Sequence, residues 1–376
     1  MHTELRQGWD AAQSLAASWR ELSLSGQGSS LFNSFDFLDV WQQHFGSDVD
    51  LVILTVYDGE QLVGLAPLQI DTIRRGSVSL RRLGFVKNPH ISRGGALARG
   101  DIDAVTAAMA QNLAENAALF DDLVFDCMVW NCPVQESLRA AIEAAGFLTN
   151  WEVMERPLQY IQFDGDEDAF VESRPKRVRQ DFRRAIRRCH ELDGFALTSS
   201  QPKTSPRETV QRLFSIDWLA AKRVRPGALY PPEAKLFYVG LAERFGESSA
   251  IELTEARCGD RLMANIITVT YAGVRYLMVT HSDYEFSKQN VGRYVVLRSI
   301  SNGLTDPDCR LVDTNGDSLF LSQISTDSFR LGIFRANHKR PLSLALGLAR
   351  KARDAVDSIK KISAQNGKNS SAESGG

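Results

Sequence analysis

Apolar and polar positions along this chain fall into the same order of elements twice. The run Leu51-Val-Ile-Leu-Thr-Val-Tyr-Asp-Gly-Glu-Gln-Leu-Val-Gly-Leu-Ala-Pro-Leu68 reads as an apolar strand, a turn at Gly59, and a second strand opened by large apolar and then small residues. The run Ile251-Glu-Leu-Thr-Glu-Ala-Arg-Cys-Gly-Asp-Arg-Leu-Met-Ala-Asn-Ile-Ile-Thr268 has the same form. In register, Gly59 falls on Gly259, Glu60 on Asp260, Leu62 on Leu262 and Gly64 on Ala264. A single hairpin says little, but two at matching offsets, each followed by similar elements, predict a duplicated domain.

Around the first hairpin the spacing predicts amphipathic helices over Trp9–Leu24 and Phe35–Phe45, the second capped by Ser34 and stopped before Gly46. After it come a strand near Val78–Phe85, a helix over Ile102–Asn116, a strand at Leu123–Val129 and a helix at Pro133–Ala145. A closing strand or pair of strands is expected between Leu148 and Phe163. The second half predicts helices within Glu167–Glu191, a short strand at Phe195–Thr198, and helices at Pro206–Lys222 and Pro232–Phe245. Three strands follow within 250–280, then a helix over Asn290–Asn302, a strand at Arg310–Asp313, a short helix at Ser318–Ser325 and a closing strand near Phe329–Phe334. Trp41 and Trp218 fit apolar helix stripes and read as core. The domains are therefore placed at 1–165 and 166–340, with a helix over 341–362 outside the repeat and a small, polar, disordered tail at 363–376.

Composition narrows the class. A chain of 376 residues suits two domains with sizeable cores, and 43% hydrophobic with 24% charged residues is ordinary for a globular protein. A net charge of −2 excludes a globally nucleic-acid-binding surface and gives no reason to expect DNA as a partner. Five cysteines at scattered spacing suggest neither a disulfide framework nor a metal site. No stretch nears the ~18 consecutive apolar residues of a transmembrane segment, and the start lacks the form of a secretory signal, so the expected compartment is the cytoplasm.

Several stretches, Ser34-Phe-Asp-Phe-Leu-Asp-Val-Trp41, Leu62–Leu68, Leu83-Gly-Phe-Val-Lys-Asn-Pro-His90, the arginine-rich segment 174–188 and Gly292–Asp317, together resemble the GNAT acyl-CoA N-acyltransferases. The resemblance spans roughly 30–335 and is nearest to the CelD/BcsL-type acetyltransferases of cellulose and exopolysaccharide synthesis, with Fem-type aminoacyltransferases more distant. It implies an α/β (α+β) fold of tandem GNAT-like domains, each a mixed, mainly antiparallel sheet flanked by helices. It also implies acetyl-CoA or another acyl-CoA as co-substrate, with no metal.

Acyl transfer from coenzyme A needs a cradle for pyrophosphate, donors for the thioester oxygen and a base for the incoming amine. The resemblance places the cradle at Gln289-Asn290-Val291-Gly292-Arg293, directly before an apolar helix whose N-terminal N–H groups attract phosphate. Tyr294 stands where the family has a small residue. The corresponding first-half loop, Lys87–Ala96, lacks the spacing but is glycine-rich and basic and carries His90, so the first domain is expected to shape the acceptor site and the second to hold the donor. His90 itself reads more readily as a loop histidine with a structural hydrogen bond.

The turn His281-Ser-Asp283 follows the strand that carries the thioester contact in the family. Asp283, and after it His281, are candidates for proton acceptor, against the alternative of a polar turn with an Asx-type bond. In Asp313-Thr-Asn-Gly-Asp317, Asp317 matches the family's Gly-Asp motif, but the aromatic-lysine pair expected after it is replaced by Phe320-Leu321, or further on by Phe329-Arg330. Arg330 is a fixed charge and cannot act as a base.

The segment Arg174–Arg188 holds eight basic residues against one acidic, with Val178, Phe182, Ala185, Ile186 and Cys189 on one helical face. Its cationic side is either a solvated face or a contact for a phosphate-bearing acceptor, then for a membrane surface or tRNA. The function these readings predict is acetyl transfer to an amino group on a small-molecule or sugar-derived acceptor, such as a polysaccharide precursor. The alternatives are a Fem-like aminoacyltransferase and a non-catalytic component of an exopolysaccharide system.

Overall fold

In the computed structural model the described residues are 1–338 apart from 76–77, 89, 156, 202–204, 225–231 and 249, and the side chains at 75, 78, 217–224 and 232 are set aside as well. The expected C-terminal helix (341–362), the tail (363–376) and the packing of the Trp218 side chain fall outside that set.

The described strands form two mixed, mainly antiparallel sheets. The first contains β1 (His2–Gln7), β2 (Asp50–Asp58), β3 (Gln61–Arg75), β4 (Val78–Phe85), β5 (Leu97–Ala98), β6 (Asp122–Val129) and β7 (Leu148–Val153). The second contains β8 (Leu158–Ile161), β9 (Phe195–Ser200), β10 (Ile251–Cys258), β11 (Arg261–Tyr271), β12 (Val274–Ser282), β13 (Leu311–Asp313) and β14 (Asp327–Phe329). The last strand, β15 (Leu331–Asn337), returns to the first sheet and lies between β6 and β7. Conversely β8, which follows β7 in the chain, pairs with β13 and β14 in the second sheet. The two sheets thus exchange a strand, and no single cut near 165 separates them. The pattern of apolar residues near 329–334 predicts one closing strand there. The chain instead divides at Arg330 into two short strands, one in each sheet.

The duplicated hairpins agree down to their irregularities. In both, the glycine of the turn has positive φ, 59° at Gly59 and 55° at Gly259. Both carry a bulge at the same place, because the register passes from Val56↔Gly64 to Tyr57↔Leu62 and from Ala256↔Ala264 to Arg257↔Leu262. The small residue has a packing reason: a Cβ at Gly64 would lie 2.4 Å from Val105 Cγ1 on the helix crossing β3.

Helices cover both faces of each sheet. On the outer face of the first sheet lie α4 (Ile102–Glu115) and α5 (Pro133–Ala144); on the outer face of the second lie α6 (Glu167–Ser173), α7 (Lys176–His190), α10 (Val291–Leu304) and the short α11 (Leu319–Ile324). Between the sheets are α1 (Trp9–Ser14), α2 (Ala16–Ser25) and α3 (Phe35–Phe45) from the first half and α8 (Pro206–Val224) and α9 (Pro232–Gly246) from the second. The helix expected over 9–24 breaks at Leu15, and the strand β1 was not signalled by its half-polar sequence.

This middle layer is one continuous core. Trp19, Trp41, Phe32 and Phe37 of the first half pack with Phe237, Tyr238 and Tyr276 of the second. β2 is apolar on both faces because Leu51 and Ile53 face this core while Val52, Leu54 and Val56 face the outer one. Arg244 on α9 pairs with Asp39 on α3, adding a cross-half ion pair at the edge of the same layer.

Candidate active site

Each sheet contains a parallel pair that meets briefly and then diverges. In the first, β4 and β6 touch only at Arg82↔Asp122 and Leu83↔Leu123. In the second, β12 and β13 pair from Val274↔Leu311 to Tyr276↔Asp313, after which β13 ends and β12 runs on to Ser282. Within the stretch of β12 that has left β13, the register with β11 slips from Thr268↔Leu277 to Ile267↔Val279, so Met278 is bulged. A bulge leaves one residue outside the ladder, which gives a diverging strand polar backbone groups to offer elsewhere. β4 pairs with β3 without such a slip, so the two copies differ here.

β12 leads through a 3₁₀ turn (Tyr284–Gln289) into α10, whose N-terminus therefore stands at the open end of the divergence. The residues placed in the phosphate cradle come together here. Asn290 takes the left-handed conformation (φ 55°) and makes no side-chain cap, leaving the first N–H groups of α10 without a side-chain acceptor among the described residues. A Cβ at Gly292 would lie 3.3 Å from Ser282 Cβ, so this turn of α10 sits against the end of β12. Val291 is buried, and Gln289 Oε1 is buried with no hydrogen-bond partner among the described residues.

Tyr294 does not obstruct the loop. Its ring is buried, stacks on Phe195 and meets His190 Nε2 at 3.2 Å, so it points into the core. Arg293 turns toward α7, pairing with Asp181 at 3.0 Å and lying over the Phe320 ring. Arg188 on α7 donates to the Lys288 carbonyl at 2.6 Å, bringing one guanidinium to the approach to α10.

The proton-acceptor candidates divide by environment. Asp283 is buried; its Oδ2 accepts from Arg261 at 2.5 Å and its Oδ1 from the Glu285 N–H at 3.0 Å. It caps the 3₁₀ turn, as the polar-turn alternative expected. His281 is buried on β12 with Nδ1 3.1 Å from Asn265 Oδ1. Asn265 Nδ2 donates to the Leu213 carbonyl, so its oxygen faces the imidazole and Nδ1 carries the proton. In this tautomer the lone pair is on Nε2. The Phe214 ring of α8 lies edge-on to the imidazole.

Asp317 is exposed in the loop before α11. Four residues earlier, Asp313 is fully buried and ion-paired with Arg93 across the two halves, a contact that sequence pattern gave no means to pair. Arg330 is exposed, while its neighbour Phe329 lies under the Arg93 guanidinium. His90 packs between Phe45 and Phe237 and meets Tyr238 Oη at 3.4 Å, a place in the core between the halves.

On α7, Val178, Phe182, Ala185 and Cys189 are buried and Ile186 half-buried, as its periodicity predicts. Its arginines are largely matched within the chain: Arg179 and Arg183 by Glu172, Arg184 by Asp181, Arg187 by Glu191, while Arg174, just before the helix, donates to the Ile324 and Ser325 carbonyls. In the first domain the divergence of β4 from β6 opens a cavity of about 490 Å³, lined in part by Lys87, Asn88, Asp126 and Cys127. Cys127 has φ 53°, unusual for a residue with a Cβ, where β6 and β15 lose register.

Two sheets with one diverging parallel pair each, and a helix starting at the mouth of the second, define a tandem GNAT-like architecture. Residues 176–316 match the family described as an acetyltransferase (GNAT) domain. The crystal structure of FemX shares the fold over 88% of this chain and 98% of its own, with TM-score 0.63 and 12% identity. The C-terminal domain of a putative lysylphosphatidylglycerol synthetase from Agrobacterium fabrum aligns over 89% of this chain and 95% of its own (TM-score 0.53, 10% identity). L-PGS from Bacillus licheniformis aligns over 90% and 96% (TM-score 0.52, 13% identity). At these identities the likeness is one of fold. No curated protein matches the chain in sequence. Among the described residues no helix is long and apolar enough to cross a membrane, and no group of His, Cys, Asp and Glu is placed to hold a metal ion.

Proposed function

We propose that the protein is an acyl-CoA-dependent N-acyltransferase that moves an acyl group, acetyl in the simplest case, to an amino group of a sugar or polysaccharide precursor. The observation that carries this reading is the N-terminus of α10, without a side-chain cap, at the mouth of the β12–β13 divergence in the segment that matches the acetyltransferase family. Residues 289–293 would hold the pyrophosphate through backbone N–H groups, and Arg188 adds a positive charge at their edge. Bound acyl-CoA supplies the activated thioester carbonyl.

The chain's own part is to hold, orient and accept a proton. His281, fixed by Asn265, accepts the amine proton at Nε2, and Asp283 with Arg261 holds the turn that sets the β12–α10 junction. The first domain closes the acceptor side. A donor carried on tRNA, as in a Fem-like reaction, would need the arginines of α7, and the carboxylates that already meet most of them argue against it. Thiol release from acetyl-CoA, followed over a panel of amino sugars and their nucleotide-linked forms, tests the reading. Release that depends on the amine and on His281 supports it; no release with any amine, alongside transfer from aminoacyl-tRNA, would replace it with the second.

A further inference from the structure

A second cavity, of about 300 Å³, lies between the two halves, within the size range of small-ligand sites. Its walls come from the loop Gly28–Ser30, the Arg93-Gly94 loop, Cys132 at the start of α5, the beginnings of β12 and β13, and Phe329 of β14. Along β12 it adjoins Val274 and Tyr276, whereas α10 stands at Ser282. From Tyr276, the nearer of the two, six residue steps of strand lead to Ser282, about 20 Å, so this is not the place where α10 would hold phosphate.

The lining is cationic and aromatic. Arg93 and Arg310 both line the cavity, and none of the described lining residues is a carboxylate. Arg310 is exposed at the rim, where one Nη donates to the Ala272 carbonyl. Arg93 is buried among the rings of Phe32, Tyr276 and Phe329, at 5.5, 5.5 and 4.7 Å. Asp313, fully buried outside the lining, holds its Nη2, but Nη1 has no hydrogen-bond partner among the described residues. Ser29 Oγ, lining the same cavity, is also buried without a partner among the described residues.

A buried ion pair contributes little to stability over well-packed apolar side chains, so an arginine held there by an aspartate from the other half is better explained by recognition. Asp313 takes one nitrogen of the guanidinium, Nη2. What remains is donor capacity beside a rim cation and aromatic walls.

We propose that this cavity binds the anionic group of a small ligand, a carboxylate or a phosphate monoester carried on an apolar or ring body, with Arg93 and Arg310 as its charge partners. The site goes beyond the acyl-transfer reading and does not depend on it, because its ligand is read by binding alone.

Calorimetry and saturation-transfer NMR on the full chain, with phenyl phosphate, benzoate and neutral benzyl alcohol as probes, test it. The expected result is saturable binding of at least one anion and none of the alcohol. Affinity should fall at least tenfold in Arg310→Glu, an exposed change, and be lost in Cys132→Phe, which fills the cavity. Preference for benzoate or for phenyl phosphate decides between carboxylate and phosphate. Four results would overturn the proposal: no saturation by either anion up to about 10 mM, equal binding of the alcohol, undiminished binding to Arg310→Glu, or displacement of the bound anion by coenzyme A.

Discussion

At the scale of single residues, His281 and Asp283 show how neighbouring titratable groups come to serve different ends. Asp283 spends both oxygens on Arg261 and the Glu285 N–H, whereas His281 is oriented through one nitrogen by an asparagine that is itself fixed by a backbone carbonyl. Replacing His281 with Gln is expected to lower acyl transfer by about 10²–10⁴-fold, the range of general-base catalysis, with little change in melting temperature. Asp283→Ala should do the reverse, removing about 0.5–2 kcal/mol of stability as a lost cap and lowering the rate less than tenfold. Steady-state kinetics and thermal melts on the two variants check both; equal rate losses would refute the division of roles. Asp313 belongs to a third kind. Asp313→Ala would leave Arg93 buried and uncompensated, at a cost of about 3–5 kcal/mol measurable by urea unfolding.

At the scale of elements, the duplicated hairpin was legible because its glycines, its small residue and its alternation each have a local cause: positive φ at the turn, a helix crossing at Gly64 and covered strand faces. Most helices were legible for the same reason, with α3 capped by Ser34 and α7 striped at helical spacing. What could not be read were features set by partners distant in sequence. β1 is paired along one side by β2 and reads as polar, β5 is two residues long, and Arg93 meets Asp313 across 220 residues. The cradle positions were read from motif spacing, but only the packing of Tyr294 on Phe195 and His190 shows why a large residue fits there.

Packing of His90 on α9 gives a pH dependence. His90 sits against Phe45 and Phe237, and burial pushes its pKa below the ordinary 6.5; His44, also on this interface, is lowered by burial as well. The folded state therefore favours neutral imidazole. The stability this provides is complete above the unfolded value near 6.5 and is lost as pH falls through the lowered folded value. Urea midpoints should decline on this acid limb, and His90→Phe should make the decline shallower. An unchanged slope in the variant would contradict it.

At the scale of the whole molecule, the exchanged strands and the shared middle layer make the halves mutually dependent. β15 fills the first sheet between β6 and β7, β8 lies in the second, and Trp41 and Phe237 belong to one core. Segments 1–165 and 166–340 expressed apart are expected to be poorly folded, and the whole chain to unfold in a single transition whose calorimetric and van't Hoff enthalpies agree. Two well-separated transitions would show instead that each half is stable alone.

The same architecture makes the two divergences unequal. Only the second has the bulge at Met278 and a helix that starts beside Gly292, so the donor is expected in the second domain. Titration of acetyl-CoA into the wild-type chain and into Gly292→Trp by isothermal calorimetry tests this most directly. One site per chain with at least tenfold weaker binding in the variant is the predicted result; no heat from the folded wild type at about 1 mM ligand, or equal binding to both, would contradict it.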